Sequence, residues 1–557
     1  MLKGLGYRFI YIVPFMHYTQ SPDTSSYEQI NKILSKSGEW TASSAKNNHE
    51  QDIYNYVLDS MNGANNYSSA GGDKDNCICS VWKKTIIEKA YCKYIKNANN
   101  KKTIIDFGIK NVEMFVFRNH VGMICYEIDF HDKDALSKLS LEEICEFQNA
   151  FIEFGRNNRN LFELLFENEY DKNVMLSPPS SRKERDKIES DHKERKLIKL
   201  INMESGKAKY ITPAALIPDD IYNQPAVNSY YVVEEAVPGQ AEKTRLEVYR
   251  RLNAGRWINS MLYCLSKEQD LQIEYYSPKT IPNDIIIPDK AIVYSCAMVD
   301  DEFDQQVVRE VSYKLANGYP FKHNASTDPA EYWEHTTGVL WYASRQGCGR
   351  TVQKSCKYSS VFESVLKSNE NDDYFLIYLL ELNQLFGLTY YDKMVTKKLT
   401  QDIREYTKEN KSLQNELLQT QAEVNLFLMK SSYAGISNIQ KQNEFYSYVK
   451  KQLYIAENTA SIQSGLDGLN ALQESLAQKD REKSDERLSI SLGLLALLAV
   501  ISALSDAKVL FWDSDPLKAF SNLLKHPFYL ISTIMIFIIA VNAIINIIRC
   551  IAAARKE

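Results

Sequence analysis

The chain has 557 residues, 44% hydrophobic and 25% charged, with 66 Lys plus Arg against 71 Asp plus Glu and a formal net charge of -5. That length holds several units of roughly 100 to 200 residues, with cores large enough to need no disulfide staples. The composition excludes a many-helix transporter, and the slightly acidic balance gives no hint of bulk or direct nucleic-acid binding. Ten cysteines, scattered between Cys77 and Cys550, are too sparse for a secreted disulfide scaffold and read as reduced thiols of a cytoplasmic compartment.

From the N-terminus, the opening MLKGLGYRFIYIVPFM has too short an apolar stretch for a membrane span, a Pro inside it and no small-residue cleavage site after it. It reads as a strand. Residues 112–117 and 123–130 form a hairpin around Asn119 and His120. Ser140 and Glu143 make a capping box that opens an amphipathic helix through Ile144, Cys145, Phe151 and Ile152. Residues 170–243 hold a Pro/Ser stretch and the run SRKERDKIESDHKERK, expected to be a solvated insertion or mobile loop. Residues 291–298 read as a buried strand, followed by a helix from Asp304 that stops at Gly318, and 338–344 read as another strand.

Helices dominate beyond residue 370. Residues 374–429 read as a long helix with a mostly apolar seam through Leu399, Ile403, Tyr406, Leu413, Leu417 and Val424. Residues 431–435 interrupt it, and a second helix runs from Ile436 without a break towards Leu504, weakened locally at Gly465 and Gly468. Those two glycines are either a hinge or points of close contact.

Two apolar runs set the C-terminus apart, residues 488–504 and 528–548. The second would reach about 32 Å at ~1.5 Å per residue, enough for a ~30 Å hydrocarbon layer. The first is shorter, and Ser505, Asp506 and Ala507 extend it while Arg487 snorkels at the near interface. A buried helical hairpin is the alternative; a helix apolar on every side, with no solvent face, argues against it. Lys479, Arg481, Lys483 and Arg487 before the first run, with Arg549, Arg555 and Lys556 after the second, place both termini in the cytoplasm. The expectation is a multi-pass inner-membrane protein with a lipid partner, a connecting loop over 505–527 and a tail over 549–557. Ser491, Leu495, Leu498, Ser502 and Ser505 fall on one helical stripe, followed by Asp506. The stripe either lines a pore in a ring of identical subunits or packs helices through serines.

The expected architecture is therefore an α+β cytoplasmic domain over 1–370, a long helical hairpin and stalk over 371–487, and two transmembrane helices over 488–548. That order resembles the CorA family of divalent-cation channels, well over 374–557 and loosely before it. Members place Gly-Met-Asn after the first span, whereas this chain reads Ser505-Asp506-Ala507-Lys508, so magnesium selectivity is not carried over. Lacking that motif and enlarged at its N-terminus, the chain looks like the CRISPR-associated CorA branch found beside type III systems. The resemblance implies an antiviral effector: a homo-oligomeric pore, pentameric with a tetramer open, that the nucleotide messenger SAM-AMP opens from the cytoplasmic side to disrupt the membrane. Rivals are a magnesium-type transporter and a membrane-anchored scaffold without a pore.

Such a messenger needs phosphate ligands and flat surfaces for purines, which directs attention to arginines beside aromatics. Arg250, Arg251, Arg256 and Trp257 form one such stretch, and Trp341, Arg345 and Arg350, with their intervening glycines, form another. Arg118, Arg156 and Arg159 are weaker candidates, and Asp219, with Asp220, is a candidate acceptor for a sulfonium or amino group. Each arginine is equally a candidate for a surface ion pair. No Walker loop, Rossmann fingerprint, HExxH or nucleophile elbow is present. Cys77-Ile78-Cys79 has no second pair at zinc spacing, and the eight histidines, His120 and His335 among them, form no constellation in sequence. No catalytic residue and no metal ligand is expected.

Overall fold

The computed structural model describes residues 4–19, 25–45, 52–64, 77–84, 91–98, 101–130, 139–153, 162–171, 181–193, 198–202, 208–211, 230–236, 243–252, 254–281, 285–301, 304–324, 331–368, 370–405, 411–431, 433–511 and single positions between 531 and 545. The chain divides into one unit of Met1–Met394 with Ala422–Ile462 and a second of Val395–Gln421 with Gln463–Glu557.

The first unit is built on a mostly antiparallel sheet. Its strands begin with β1 (Gly4–Thr19), β2 (Trp40–Ser43), β3 (Cys79–Lys84), β4 (Tyr91–Ala98), β5 (Lys101–Phe117) and β6 (Val121–Asp129). They continue with β7 (Phe162–Asp171), β8 (Ile198–Asn202), β9 (Ala208–Ile211), β10 (Tyr230–Ala236), β11 (Lys243–Leu252) and β12 (Leu271–Tyr275). A separate hairpin, β13 (Pro278–Ile281) with β14 (Ile285–Pro288), precedes β15 (Ile292–Val299), β16 (Tyr332–Thr336), β17 (Val339–Ala343) and β18 (Gly347–Gln353). The sheet runs in the order β16-β17-β18-β15-β1-β6-β5-β4-β7-β11-β10-β8-β9, and among these neighbours only β15 with β18 and β8 with β10 are parallel. Helices are α1 (Ser26–Lys36), α2 (Asn55–Ser60), α3 (Leu141–Ile152), α4 (Arg182–Lys193), α5 (Ala254–Met261) and α6 (Tyr263–Ser266). They are followed by α7 (Gln305–Asn317), α8 (Ser359–Lys367), α9 (Asp373–Glu405), α10 (Lys411–Ser431), α11 (Gln440–Gln452) and α12 (Ile455–Phe511).

The opening segment is indeed a strand, and it is the central one. On one edge β1 pairs with β6; on the other it pairs with β15 up to Ile12 and with β12 from Phe15 onward. Pro14 falls in the interval between those two partners, so its missing N–H interrupts neither ladder. Phe9, Tyr11, Val13 and Phe15 alternate onto one face and join a core with Tyr126, Phe107 and Phe151 of α3. Burying each such ring contributes roughly 1.5–3 kcal/mol. The capping box of α3 forms as read, with the Glu143 N–H donating to Ser140 Oγ at 3.2 Å and the Ser140 N–H to Glu143 Oε2 at 2.9 Å. The Asn119–His120 turn joins β5 to β6, and α7 ends at Gly318 in the left-handed conformation with φ 63°.

The opposite face of β1 is charged where it meets the helices. Arg8, 2% exposed, makes a two-point contact with Glu127 of β6 at 2.8 and 3.0 Å. Its other N–H groups donate to the carbonyls of Val365 and Glu370, just before α9. Lys110 donates to the Ser368 carbonyl and Asn371 to Glu113. Asp372 accepts from the Phe375 N–H and the Tyr294 hydroxyl, capping α9 and tying it to β15. From Phe375 to Leu379, α9 is buried on all sides.

Three expectations are corrected by the fold. Residues 170–243 are not simply a loop: they contain α4, β8, β9 and β10, and the charged run is the exposed helix α4, opened by reciprocal bonds between Ser181 and Glu184. The second long helix is broken, because α11 ends at Leu453 and Tyr454 takes φ 55° before α12 starts. Gly465 is a point of close contact within the second unit, where a Cβ would lie 2.8 Å from Val395 Cγ1. The third correction concerns the membrane: among the described residues no helix is long and apolar enough to cross one, and the described architecture is a mixed α+β fold with added helices. The first expected span lies within α12, whereas most of the second, 528–548, lies outside the described residues; with no membrane-crossing helix among the described residues, the lipid partner, the inner-membrane placement and the pore lose their support. Leu495 and Leu498 lie exposed on α12, and the Ser491 hydroxyl donates to the Arg487 carbonyl at 2.8 Å, a helix-internal bond. Ser502, Ser505 and Asp506 also belong to α12, but their side chains lie outside the described residues.

Candidate anion-binding site

The arginine-and-aromatic stretches meet different fates. Arg250 and Arg251 sit on β11, opposite Tyr230 and Glu163, and Arg256 sits on α5; their side chains lie outside the described residues, as does Asp219 altogether. Trp257 packs edge-on against Tyr126 at 5.0 Å and belongs to the core. Trp341 and Arg350 are brought together as cross-strand neighbours of β17 and β18. Trp341 is 1% exposed and stacks with Tyr374 and Phe445 at 4.8 and 4.5 Å. The Arg350 guanidinium lies 5.0 Å from Trp341, 4.5 Å from Phe362 and 5.4 Å from Tyr374, with Asp372 Oδ2 at 3.7 Å. Its Nε and Nη2 have no hydrogen-bond partner. It is closed in by rings, so its role here is a buried positive charge beneath the surface. Arg345 stays exposed at the β17–β18 turn, 5.7 Å from the Tyr454 ring.

Next to that buried charge, two cations and an imidazole from three separate segments meet at one ring. The ring is Tyr358, half-buried, at the start of α8 where the chain leaves β18. Lys357 Nζ lies 4.9 Å from its centroid and Lys441 Nζ 5.4 Å. Lys441 is the second residue of α11 and also reaches Thr336 Oγ1 at 3.5 Å. The imidazole of His335 stands 6.1 Å from the same ring and 5.4 Å from Trp333.

Local chain geometry explains each placement. The β16–β17 pairing steps from Glu334–Leu340 to Thr336–Val339, so His335 is the extra residue of a bulge, a device that re-aims a side chain. The β16–β17 turn closes through Gly338 at φ 84°, a value that suits glycine. α11 starts after Ile439, which offers no side-chain cap, and its first turn contains no acidic residue. A lysine there opposes the helix dipole, and the first-turn N–H groups carry the same sign.

The electrostatics are consistent from two directions. His335 is pushed down to about 4 by burial first and then by Lys441 and Arg350, with Glu444 pulling the other way and Lys357 adding a smaller push down. Tyr358 is held below the ordinary phenol value by the Lys357 ammonium, with Lys441 adding to it. A base that resists a proton and an acid that gives one up more readily both report a local positive field. Neither Lys357 nor Lys441 forms a salt bridge with a carboxylate among the described residues, and His335 Nδ1 is buried without a hydrogen-bond partner. The arrangement can neutralise and hold a compact anion against a flat ring.

Sequence reasoning sought arginines and passed over these residues. Lys441 lies more than 80 positions from Lys357, and only the fold joins them. One local signal was available: a lysine in an acid-free first turn is a conflict with the helix dipole. Among the described residues no group of His, Cys, Asp and Glu side chains could hold a metal ion, and the described cysteines are free thiols.

No protein family, no curated protein and no solved structure matches this chain. The resemblance to CorA channels and to their CRISPR-associated branch thus finds no relative to rest on, and the fold supplies no membrane-crossing helix among the described residues. The reading as a messenger-opened pore, and its magnesium-transporter rival, are withdrawn.

Proposed function

We propose that the chain is a non-catalytic binding protein whose α+β unit takes a small, multiply charged oxyanion, a phosphate or phosphate ester, at the Lys357–Tyr358–Lys441–His335 face. One observation carries the reading: two ammonium groups converge on one ring, with no carboxylate salt-bridge partner among the described residues. Two like charges about 10 Å apart or less repel, and an anion between them turns that repulsion into attraction. His335 Nδ1 adds a polar atom awaiting a partner, and Tyr358 offers a face for whatever ring or chain the oxyanion bears.

Calorimetric titration of the full chain with inorganic phosphate tests this. Lys357→Gln and Lys441→Gln should each weaken binding about tenfold, the scale of one charge-assisted contact of about 1.4 kcal/mol. Binding of equal strength in both variants would sink the assignment.

A further inference from the structure

Behind the same helix that supplies Lys441 lies a carboxyl group that the binding face does not use. Glu381 of α9 is 1% exposed, and its Oε2 has no hydrogen-bond partner. The groups facing it are Tyr446 and Lys450 of α11 and Tyr433 from the segment before α11. Tyr446 has one hydroxyl proton, and it donates that proton to the Tyr433 carbonyl at 3.2 Å. Its oxygen accepts from the Tyr433 N–H and from Lys450 Nζ, both at 3.3 Å. The same hydroxyl is hydrogen-bonded to Glu381, so its one proton is claimed both by that carboxyl and by the Tyr433 carbonyl, whereas a protonated Glu381 brings its own.

We infer that Glu381 is a proton-operated latch on α11: with its proton the helix stays seated and the anion face is complete, and without it the helix shifts and the face is weakened. The inference rests on the anion-binding reading above. Burial holds the Glu381 carboxyl up at about 8, with Lys450 and Tyr446 pulling the other way. Burial likewise pushes Tyr433 and Tyr446 upward, so both remain neutral while Glu381 titrates. An ionised Glu381 demands donors. It takes the Tyr446 proton away from the Tyr433 carbonyl and draws Lys450 inward, which moves the C-terminal half of α11.

The helix then carries that movement to the binding face as a packed body. Between its two ends, Phe445 is wedged against Trp341 and Tyr374, at 4.5 and 5.1 Å. The Tyr448 hydroxyl donates to the Glu331 carbonyl at 2.8 Å and accepts from the Ala343 N–H at 3.1 Å, tying α11 to the β16–β17 hairpin that holds His335. Proton and anion are therefore linked ligands, and each strengthens the other by the same factor.

Sulfate, a dianion throughout the range, is the probe. Its affinity for the full chain is measured by calorimetry from pH 6.5 to 9.5, in wild type and in Glu381→Gln, which mimics the protonated group. Wild type should lose affinity above pH 8, by at most about tenfold per pH unit, and Glu381→Gln should retain its neutral-pH affinity over the same span. A flat wild-type profile, or an equal decline in both proteins, overturns the latch. Failure of sulfate to bind at any pH sinks the anion-binding reading instead. In that case hydrogen exchange of the α11 amides decides: exchange that rises above pH 8 in wild type and not in Glu381→Gln supports the latch, and identical exchange overturns it.

Discussion

Arg8 and Lys441 are two cations within the same unit, and the fold treats them in opposite ways. Arg8 sits in the middle of the central strand and is matched point for point: two nitrogens on Glu127, and the rest on the Val365 and Glu370 carbonyls. Lys441 sits in the first turn of a helix, reaching a hydroxyl and a ring, and Lys357 approaches that same ring; among the described residues neither has a carboxylate salt-bridge partner. A buried charge must be neutralised within the fold, because leaving water costs several kcal/mol per ion. A half-exposed charge is under no such demand, so its want of a partner costs the fold little and leaves the field available to a ligand. The contrast separates cations that hold the structure from cations that use it.

The largest effect that would break this contrast is loss of the matched carboxylate. Glu127→Ala leaves the Arg8 guanidinium buried and unpaired and should cost about 3–5 kcal/mol in chemical denaturation, whereas Lys441→Gln should stay within about 0.5 kcal/mol of wild type. Equal losses would mean that Lys441 is structural too.

A smaller effect comes from Glu381, the buried acid with no matched cation. Its folded pKa of about 8 lies above the ordinary carboxylate value of 4.5, so the folded protein holds the proton more tightly than the unfolded chain. The stability that this proton contributes is complete below pH 4.5 and is lost as pH rises through about 8, at roughly 1.4 kcal/mol per pH unit at most. Denaturation midpoints should therefore fall between pH 5 and 8 in wild type and fall less in Glu381→Gln. Parallel curves would show that Glu381 ionises freely.

How much of this was legible in the sequence follows from how local each signal is. The β5–β6 hairpin, the α3 capping box and the Gly318 stop are each written within a few residues, and each formed where read. The charged run over α4 reads as solvated and is exposed, but its helical form is not legible, because a helix held by a Ser181–Glu184 cap and charged on all sides has no apolar face to announce it. The apolar C-terminal runs suggest membrane spans by composition alone, and the family resemblance depends on them, whereas among the described residues no helix is long and apolar enough to cross a membrane. Trp341 and Arg350 were picked out together and do adjoin, but as a sealed interior pair. The open cations come from the link between β18 and α8 and from α11, the imidazole beside them comes from β16, and no pattern within one segment joins them.

The smallest effect is the sharpest test of the site. His335 is pushed down to about 4 by burial and by its neighbouring cations, so it is neutral at pH 7, and the stability contributed by the neutral ring is lost as pH falls from 6.5 towards that value. An oxyanion between Lys357 and Lys441 cancels the positive field and favours the charged imidazole. The imidazole titration of His335, followed by nuclear magnetic resonance, should therefore move upward when sulfate is added, and Lys441→Gln should move it upward without any sulfate. His17 is the internal control: it is buried, hydrogen-bonded to Ser26 and to the Phe117 and Val121 carbonyls, and held down to about 3 by burial and His120, with neither lysine among the groups that shift it. It should not respond. If both histidines shift together, the field belongs to the whole molecule, and the distinction between matched and open cations no longer locates a site.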